Sequence, residues 1–326
     1  MKQRILGSSK LSVSEVGLGC WQLGGDFGPL GDTRAQEILE SALDQGVTFF
    51  DTADVYGAGK SESYLGQVLG SASSDIKIAT KYGRGPGTYP DGYSLIDLRD
   101  SVKRAQDRLK RDCIDLLQLH CIPTEVMRHG EIFDFLREIQ QEGHIAHFGA
   151  SVETLEEAVL CTAQDDLTSL QIIFNVFRQN AIHELFDTAK SRNVGIIVRL
   201  PLASGLLTGK FKTDSQFDES DHRNYNKNGD AFSVGETFSG IEFTKGLELV
   251  AELETYKPES LSMAQFAMRW ILDHDAVSTI IPGASSVAQV VGNVAVADLA
   301  PLPEELHGEL QRFYQSEVEQ HIRCPI

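Results

Sequence analysis

Short apolar runs rich in β-branched residues alternate with longer amphipathic stretches along most of the chain. The runs predict strands at Val16–Cys20, Val47–Ala53, Ile76–Lys81, Ile114–His120, Ile145–Ser151, Leu170–Asn175, Gly195–Leu200 and Val277–Pro282. Several are continuously apolar, as parallel strands covered on both faces require. Between them, Ala35–Gln45 places Ile38, Ala42 and Leu43 on one face and stops at Gly46, a residue suited to ending a helix. Leu98–Arg111 keeps Val102, Ala105 and Leu109 together, and Ile132–Glu142, Thr154–Cys161, His183–Arg192 and Met263–Leu272 also read as helices. Strands alternating with helices at this spacing predict an α/β fold, a (β/α)8 TIM barrel formed by residues 1–326 as one domain. Arg4–Leu11 predicts a small hairpin ahead of the first barrel strand.

The rhythm breaks once, at Phe211–Gly240 after the seventh barrel strand. A loop of that length is a functional lid or a linker. Phe217, Tyr225, Phe232 and Phe238 are spaced through it, and disordered tracts are poor in aromatics. An ordered lid is therefore expected.

Lys and Arg number 29 against 47 Asp and Glu, a net charge of −18. Such a surface repels nucleic acid and anionic membranes, so neither is an expected partner and any anionic ligand needs a local patch. No apolar stretch approaches the roughly eighteen residues of a membrane-spanning helix. The N-terminus lacks the apolar run of a signal peptide. Five cysteines without CxxC spacing read as reduced thiols of a cytoplasmic protein. His144 and His147 fall on opposite faces of a strand, which argues against a metal pair.

Chemistry in a barrel of this kind sits at the C-terminal strand ends. Strand two ends in Asp51, with Tyr56 five residues on; strand three ends in Lys81 and strand four in His120. Singly, each has a bland reading: an Asp that forms a turn, a structural His, a half-buried Tyr. A lysine after Ile-Ala-Thr needs a partner for its charge, and Asp51 on the neighbouring strand can supply one. A free tyrosine, with a pKa of about 10, is a poor acid at neutral pH. Beside a lysine cation its pKa is expected to fall, so that Tyr56 can protonate a developing alkoxide while His120 hydrogen-bonds the same oxygen. None of the four can donate hydride, which implies a nicotinamide cofactor.

At this point the chain resembles the aldo-keto reductase family over nearly its whole length. The resemblance rests on Phe50-Asp51-Thr52-Ala53-Asp54-Val55-Tyr56-Gly57 with Ser61-Glu62, on Thr80-Lys81, Leu119-His120 and Gly149-Ala150-Ser151, and on Pro201-Leu202-Ala203-Ser204-Gly205-Leu206 and Ile281-Pro282-Gly283-Ala284. It is strongest to the bacterial branch that includes general stress proteins and more distant to potassium-channel β-subunits. The resemblance implies a catalytic tetrad of Asp51, Tyr56, Lys81 and His120. It also implies NADPH bound without a Rossmann domain, and no GxGxxG follows the first strand.

The resemblance further assigns Ser151 and Gln171 to the nicotinamide carboxamide. Arg199 stands where many relatives have an aromatic residue against the nicotinamide ring. The backbone N–H groups of Ser204, Gly205 and Leu206, with Leu202 beside them, can meet a pyrophosphate; the resemblance puts Lys210 and Arg223 at phosphates, Ser285, Gln289 and Asn293 around the adenosine, and Gly283 among the cofactor-binding residues. Many relatives carry Lys and Arg where this chain has Gly283 and Gln289, so NADH is a second candidate cofactor. Trp21, Phe27 and Tyr82 are candidate walls of a substrate pocket, and Arg84 a candidate anion clamp.

The expected function is NADP(H)-dependent reduction of an aldehyde or ketone to an alcohol, with a small-molecule carbonyl substrate and a monomer or weak homo-oligomer as the assembly. Two alternatives stay open: a barrel lyase using Lys81 as a Schiff base, and a low-turnover cofactor-binding sensor or regulatory subunit.

Overall fold

The computed structural model describes residues 1–70 and 74–326. β1 (Gln3–Ile5) and β2 (Ser12–Ser14) pair as an antiparallel hairpin. Eight parallel strands follow: β3 (Leu18–Gly19), β4 (Phe49–Asp51), β5 (Lys77–Tyr82), β6 (Ile114–His120), β7 (Ile145–Ser151), β8 (Leu167–Ile173), β9 (Gly195–Arg199) and β10 (Val277–Ile280). They lie in chain order, each hydrogen-bonded to the next. Parallel bridges Val16–Ile280 and Gly19–Gly283 bring the first and last together, which nearly closes a TIM barrel. Helices including Asp32–Asp44, Lys60–Leu69, Leu95–Leu109, Glu131–Gln141 and Met263–Leu272 cover the outside.

β6 and β7 occupy the residues their apolar runs predict. Several elements differ from expectation in their bounds, β4 for example being Phe49–Asp51 rather than Val47–Ala53, and three differ for identifiable reasons. β8 starts at Leu167, three residues early, because Asp166 turns the chain at φ 64° and the polar Thr168 and Ser169 are fully buried in the sheet. β3 shrinks because the chain before it is tied to β10, Gly17 N donating to Ile280 O at 2.8 Å. The helix expected over His183–Arg192 breaks at Leu185 into Ala181–Glu184 and Phe186–Ser191.

The barrel interior follows the two-residue period of a strand. Phe49, Ala79, Leu116 and Ile197 form its lower layer with Ile281, and Leu6 and Val13 of the hairpin plug it from below. Gly7 makes that plug fit: its φ is +52°, and a Cβ there would lie 2.3 Å from Thr168 O. Arg4 fastens the hairpin by pairing with Glu15 at 2.8 Å and donating to the carbonyls of Leu272 and Val277. Two residues further along the same strands come Asp51, Lys81, Gln118 and Arg199. With the lower end plugged by apolar side chains, the polar layer is directed to the upper mouth.

Candidate active site at the upper mouth of the barrel

Asp51, Lys81, Tyr56 and His120 converge. Lys81 Nζ donates to Asp51 Oδ1 at 2.6 Å, to Thr52 O at 2.8 Å and to Tyr56 Oη at 3.2 Å. The Tyr56 and His120 rings meet edge to face with centroids 5.9 Å apart. Lys81 and Asp51 are each 2% exposed. Asp51 takes two more hydrogen bonds at Oδ2, from Gln118 Nε2 at 2.9 Å and Gln171 Nε2 at 2.7 Å. A buried carboxylate with three donors is well satisfied.

The electrostatics correct one expectation. Burial is the largest influence on Tyr56 and pushes its phenol up to about 12, with the Lys81 charge only partly offsetting it. Burial also disfavours the Lys81 ammonium, but Asp51 and Tyr56 outweigh it and hold the amine above its usual pKa. His120 is driven well below the usual imidazole range, first by burial and then by Lys81, Arg84 and Arg199. It is therefore neutral at pH 7 and keeps one N–H to donate.

The motif residues that do not face the site hold the strand ends. Thr52 Oγ1 donates to Ser61 Oγ, which donates to Cys20 O, both at 2.8 Å. Glu62, fully buried, receives Thr80 Oγ1 and Arg108 Nε at 2.6 Å each. These bonds fix the segment carrying Tyr56 against β5, which carries Lys81.

One cavity of about 1010 Å³ opens above these groups. It is lined by Trp21, Phe27, Asp51, Tyr56 and His120 at one end, and by Ser151, Gln171 and Arg199 beside them. Leu202, Ser204, Gly205, Lys210, Arg223, Gly283, Ser285, Gln289 and Asn293 line the remainder. Lys81 does not line it but lies against Tyr56, which does, and two further expected residues are also absent from the lining. Tyr82 is 1% exposed and turned into the core, its hydroxyl donating to Asp97 at 2.9 Å. Tyr89, on the loop that follows, lines the cavity instead. The Leu206 side chain is likewise core, 1% exposed and packed towards Gly246 of helix Phe243–Leu253.

The far end of the cavity suits a phosphorylated ligand only in part. Ser204 and Gly205 have φ of 56° and 94°, a sharply turned backbone at the mouth. Gln289 already accepts from Ser285 N at 2.7 Å and from Ser285 Oγ at 3.0 Å. Where a Cβ at Gly283 would stand, the Gln22 amide lies 2.0 Å away. No cation stands at positions 283 or 289.

Phe211–Gly240 is an ordered lid. His222 N donates to Asp26 O at 2.9 Å, Tyr225 Oη donates to Asp26 Oδ1 at 3.2 Å, and Trp21 Nε1 donates to Asp26 Oδ2 at 2.9 Å. The His222 ring packs 4.6 Å from Trp21 and 4.4 Å from Phe27. Arg223 lies over Phe217 at 4.5 Å and Phe27 at 5.1 Å, held by Asp221 at 2.5 Å. Glu236 reaches inward to pair with Arg199 at 2.5 Å.

Sequence reasoning missed Gln118, Glu153 and Glu236. The inward phase of β6 could have indicated Gln118. Glu153 and Glu236 lie outside any strand, where no period orients a side chain.

A plugged parallel barrel with an Asp–Lys–Tyr–His cluster under a lidded cavity defines an oxidoreductase of the barrel type. The chain belongs to the Aldo/keto reductase family, whose profile matches residues 15–315. It is 29% identical to the uncharacterised oxidoreductase YqkF of Bacillus subtilis, over 98% of each chain. It is 29% identical to a probable voltage-gated potassium channel subunit beta of Arabidopsis thaliana, over 93% of each. The solved holo form of aldo-keto reductase AKR11C1 from Bacillus halodurans superposes with a TM-score of 0.78 at 28% identity, covering 99% of both chains.

Proposed function

We propose that this oxidoreductase reduces aldehydes or ketones with NADPH, accepting NADH as well, and that Tyr56 gives the proton. The observation that carries the reading is the chain of contacts from Asp51 through Lys81 to the Tyr56 hydroxyl at the floor of the cavity. The nicotinamide, when bound, supplies hydride. Lys81 stabilises the phenolate left behind, and neutral His120 holds the carbonyl oxygen by hydrogen bond. Ser151, Gln171 and Arg199 are the residues that would hold the nicotinamide. Ser204, Gly205, Lys210 and Arg223 would hold the phosphates, and Ser285, Gln289 and Asn293 the adenosine. The unpartnered, buried Arg199 Nε fits a polar ligand at that end. Loss of nicotinamide absorbance on adding a panel of small aldehydes tests the reading; no loss with any aldehyde would overturn it. The lyase alternative asks Lys81 for a free amine, whereas its ammonium makes three hydrogen bonds.

With Tyr56 titrating only near 12, the reductive kcat/KM is expected to stay level from about pH 6 to about pH 10. Alcohol oxidation needs the phenolate and should rise with pH, up to about tenfold per unit. A reductive profile falling through neutral pH would show that Tyr56 is not the acid.

The lid's contacts predict its effect. Arg223→Ala removes the guanidinium packed against Phe27 and Phe217 and should speed release of NADPH and NADH alike by roughly tenfold, read by stopped-flow fluorescence. Equal release rates in variant and wild type would remove Arg223 from the lid's closure.

A further inference from the structure

Gln22 stands at the seam where the barrel closes. β3 ends at Gly19, and a short helical turn, Trp21–Gly24, follows almost at once. The bridge between Gly19 and Gly283, with Gly19 N donating to Pro282 O at 3.1 Å, brings that turn against the segment after β10. The Gln22 side chain then lies across Gly283. The three atoms nearest to where a Cβ at 283 would stand are its Nε2, Oε1 and Cδ, at 2.0, 2.0 and 2.1 Å. Gly283 does not take a positive φ, so its backbone would accept a side chain, and Gln22 fills the room for one. Both residues line the cavity, and Gln22 Oε1 is buried with no hydrogen-bond partner. A buried acceptor left unpaired in a cavity wall is matched by a donor on the ligand.

We infer that Gln22 selects the cofactor: it accepts a hydrogen bond from a ribose hydroxyl of the adenosine half, and this makes NADH the more tightly bound of the two nicotinamide cofactors. The inference rests on the reading of the site as a nicotinamide-dependent carbonyl reductase. NADH and NADPH differ at one place on that ribose, a hydroxyl in the first and a phosphate in the second. The hydroxyl has a proton to give to Gln22 Oε1. The phosphate, close to doubly charged at pH 7, has only acceptors and needs cations or N–H donors. Around Gly283 the polar groups are already engaged with one another. Gln289 Oε1 takes Ser285 N at 2.7 Å and Ser285 Oγ at 3.0 Å, Ser286 Oγ takes Gln289 N at 3.3 Å, and Asn293 Nδ2 donates to Gly283 O at 3.3 Å. Four cations line the cavity, and three of them are in ion pairs: Arg84 with Glu153, Arg199 with Glu236 and Arg223 with Asp221. The fourth, Lys210, serves in the proposed site the pyrophosphate that both cofactors share. A neutral acceptor in place of a cation thus favours the hydroxyl and works against the phosphate.

The test is direct binding, read by fluorescence titration with no carbonyl substrate present. NADH should bind wild type about tenfold more tightly than NADPH. ADP-ribose should compete better than its 2′-phosphate, which reads the adenosine half with no nicotinamide in the molecule. Gln22→Ala removes the acceptor and should weaken NADH about fivefold while leaving NADPH within about twofold of wild type. In Gly283→Lys the new Cβ meets the Gln22 amide at 2.0 Å, so that change alone should not favour NADPH. Gln22→Ala/Gly283→Lys gives the ammonium room and should make NADPH the tighter ligand by about tenfold, a gain neither single variant shows. Gln22→Ala only shortens a half-buried side chain and serves alone if the double variant fails to fold. NADPH bound the more tightly by wild type would overturn the inference. So would equal losses of both cofactors in Gln22→Ala, the result a mere packing role would give. Tighter binding of NADH without turnover of any aldehyde would leave Gln22 in this role and sink the reductase reading. Turnover of aldehydes with NADPH the tighter ligand would keep the reductase and remove Gln22 from the selection.

Discussion

Replacing Tyr56 by Phe is expected to lower aldehyde reduction by a factor on the order of 10²–10⁴, the range for removal of a general acid. The substitution deletes one oxygen from a side chain that makes a single hydrogen bond of note, the 3.2 Å contact from Lys81 Nζ. Lys81 keeps Asp51 and Thr52 O as acceptors, so the loss should fall on chemistry rather than folding. The Phe ring can keep the edge-to-face contact with His120. Nicotinamide-cofactor affinity, measured by fluorescence titration, should change by less than about threefold, because the missing proton matters only in the transition state. A variant that turns over at the wild-type rate would show that another group supplies the proton. His120 would not be that group, because its neutral imidazole is a very weak acid at pH 7.

The same residues show how far the sequence carries the structure. Period-two patterning in β4, β5 and β6 is legible because each strand buries one face in the barrel. Once Phe49 is inward, Asp51 must be inward too, and the same holds for Ala79 with Lys81 and Leu116 with Gln118. Asp51 and Lys81, and His120 two residues past Gln118, were therefore readable from apolar spacing, while Gln118 on the same phase was missed. Tyr82 was misjudged by this same rule. One residue past Lys81, it lies on the opposite phase and faces outward into the helix layer, where Asp97 of helix Leu95–Leu109 receives its hydroxyl. Leu206 was named for its backbone N–H, and the course of its side chain was not legible. In the turn Ala203–Thr208 the left-handed Ser204 and Gly205 rotate successive side chains by amounts no strand or helix period describes. The lid was predictable as ordered from its aromatics, but its fastening to Asp26 joins residues about two hundred positions apart. The effect of burial on Tyr56 was also hidden, because the sequence names the neighbouring lysine but not the amount of water excluded from the phenol.

The second large effect is expected at Lys81, and it separates charge from covalency. Lys81→Met should abolish measurable reduction, because it removes the cation beside the phenolate. It should also destabilise the protein by about 3–5 kcal/mol, the cost of leaving a buried carboxylate without its ion partner. Gln118 and Gln171 still donate to Asp51, which places the expected loss at the lower end of that range. The companion variant Asp51→Asn/Lys81→Met removes both charges together. It should recover most of the stability in chemical denaturation while remaining inactive, because a matched neutral pair avoids the orphaned charge but restores no cation. If the double variant were no more stable than Lys81→Met, the penalty would come from lost packing rather than from the stranded carboxylate. Borohydride added to wild type with an aldehyde should trap no adduct on Lys81. An ammonium held by Asp51, Thr52 and Tyr56 has no lone pair for attack on a carbonyl, and Asp51 and Tyr56 resist its deprotonation. A trapped adduct at Lys81 would convert the site from one that stabilises a phenolate into one that forms a Schiff base.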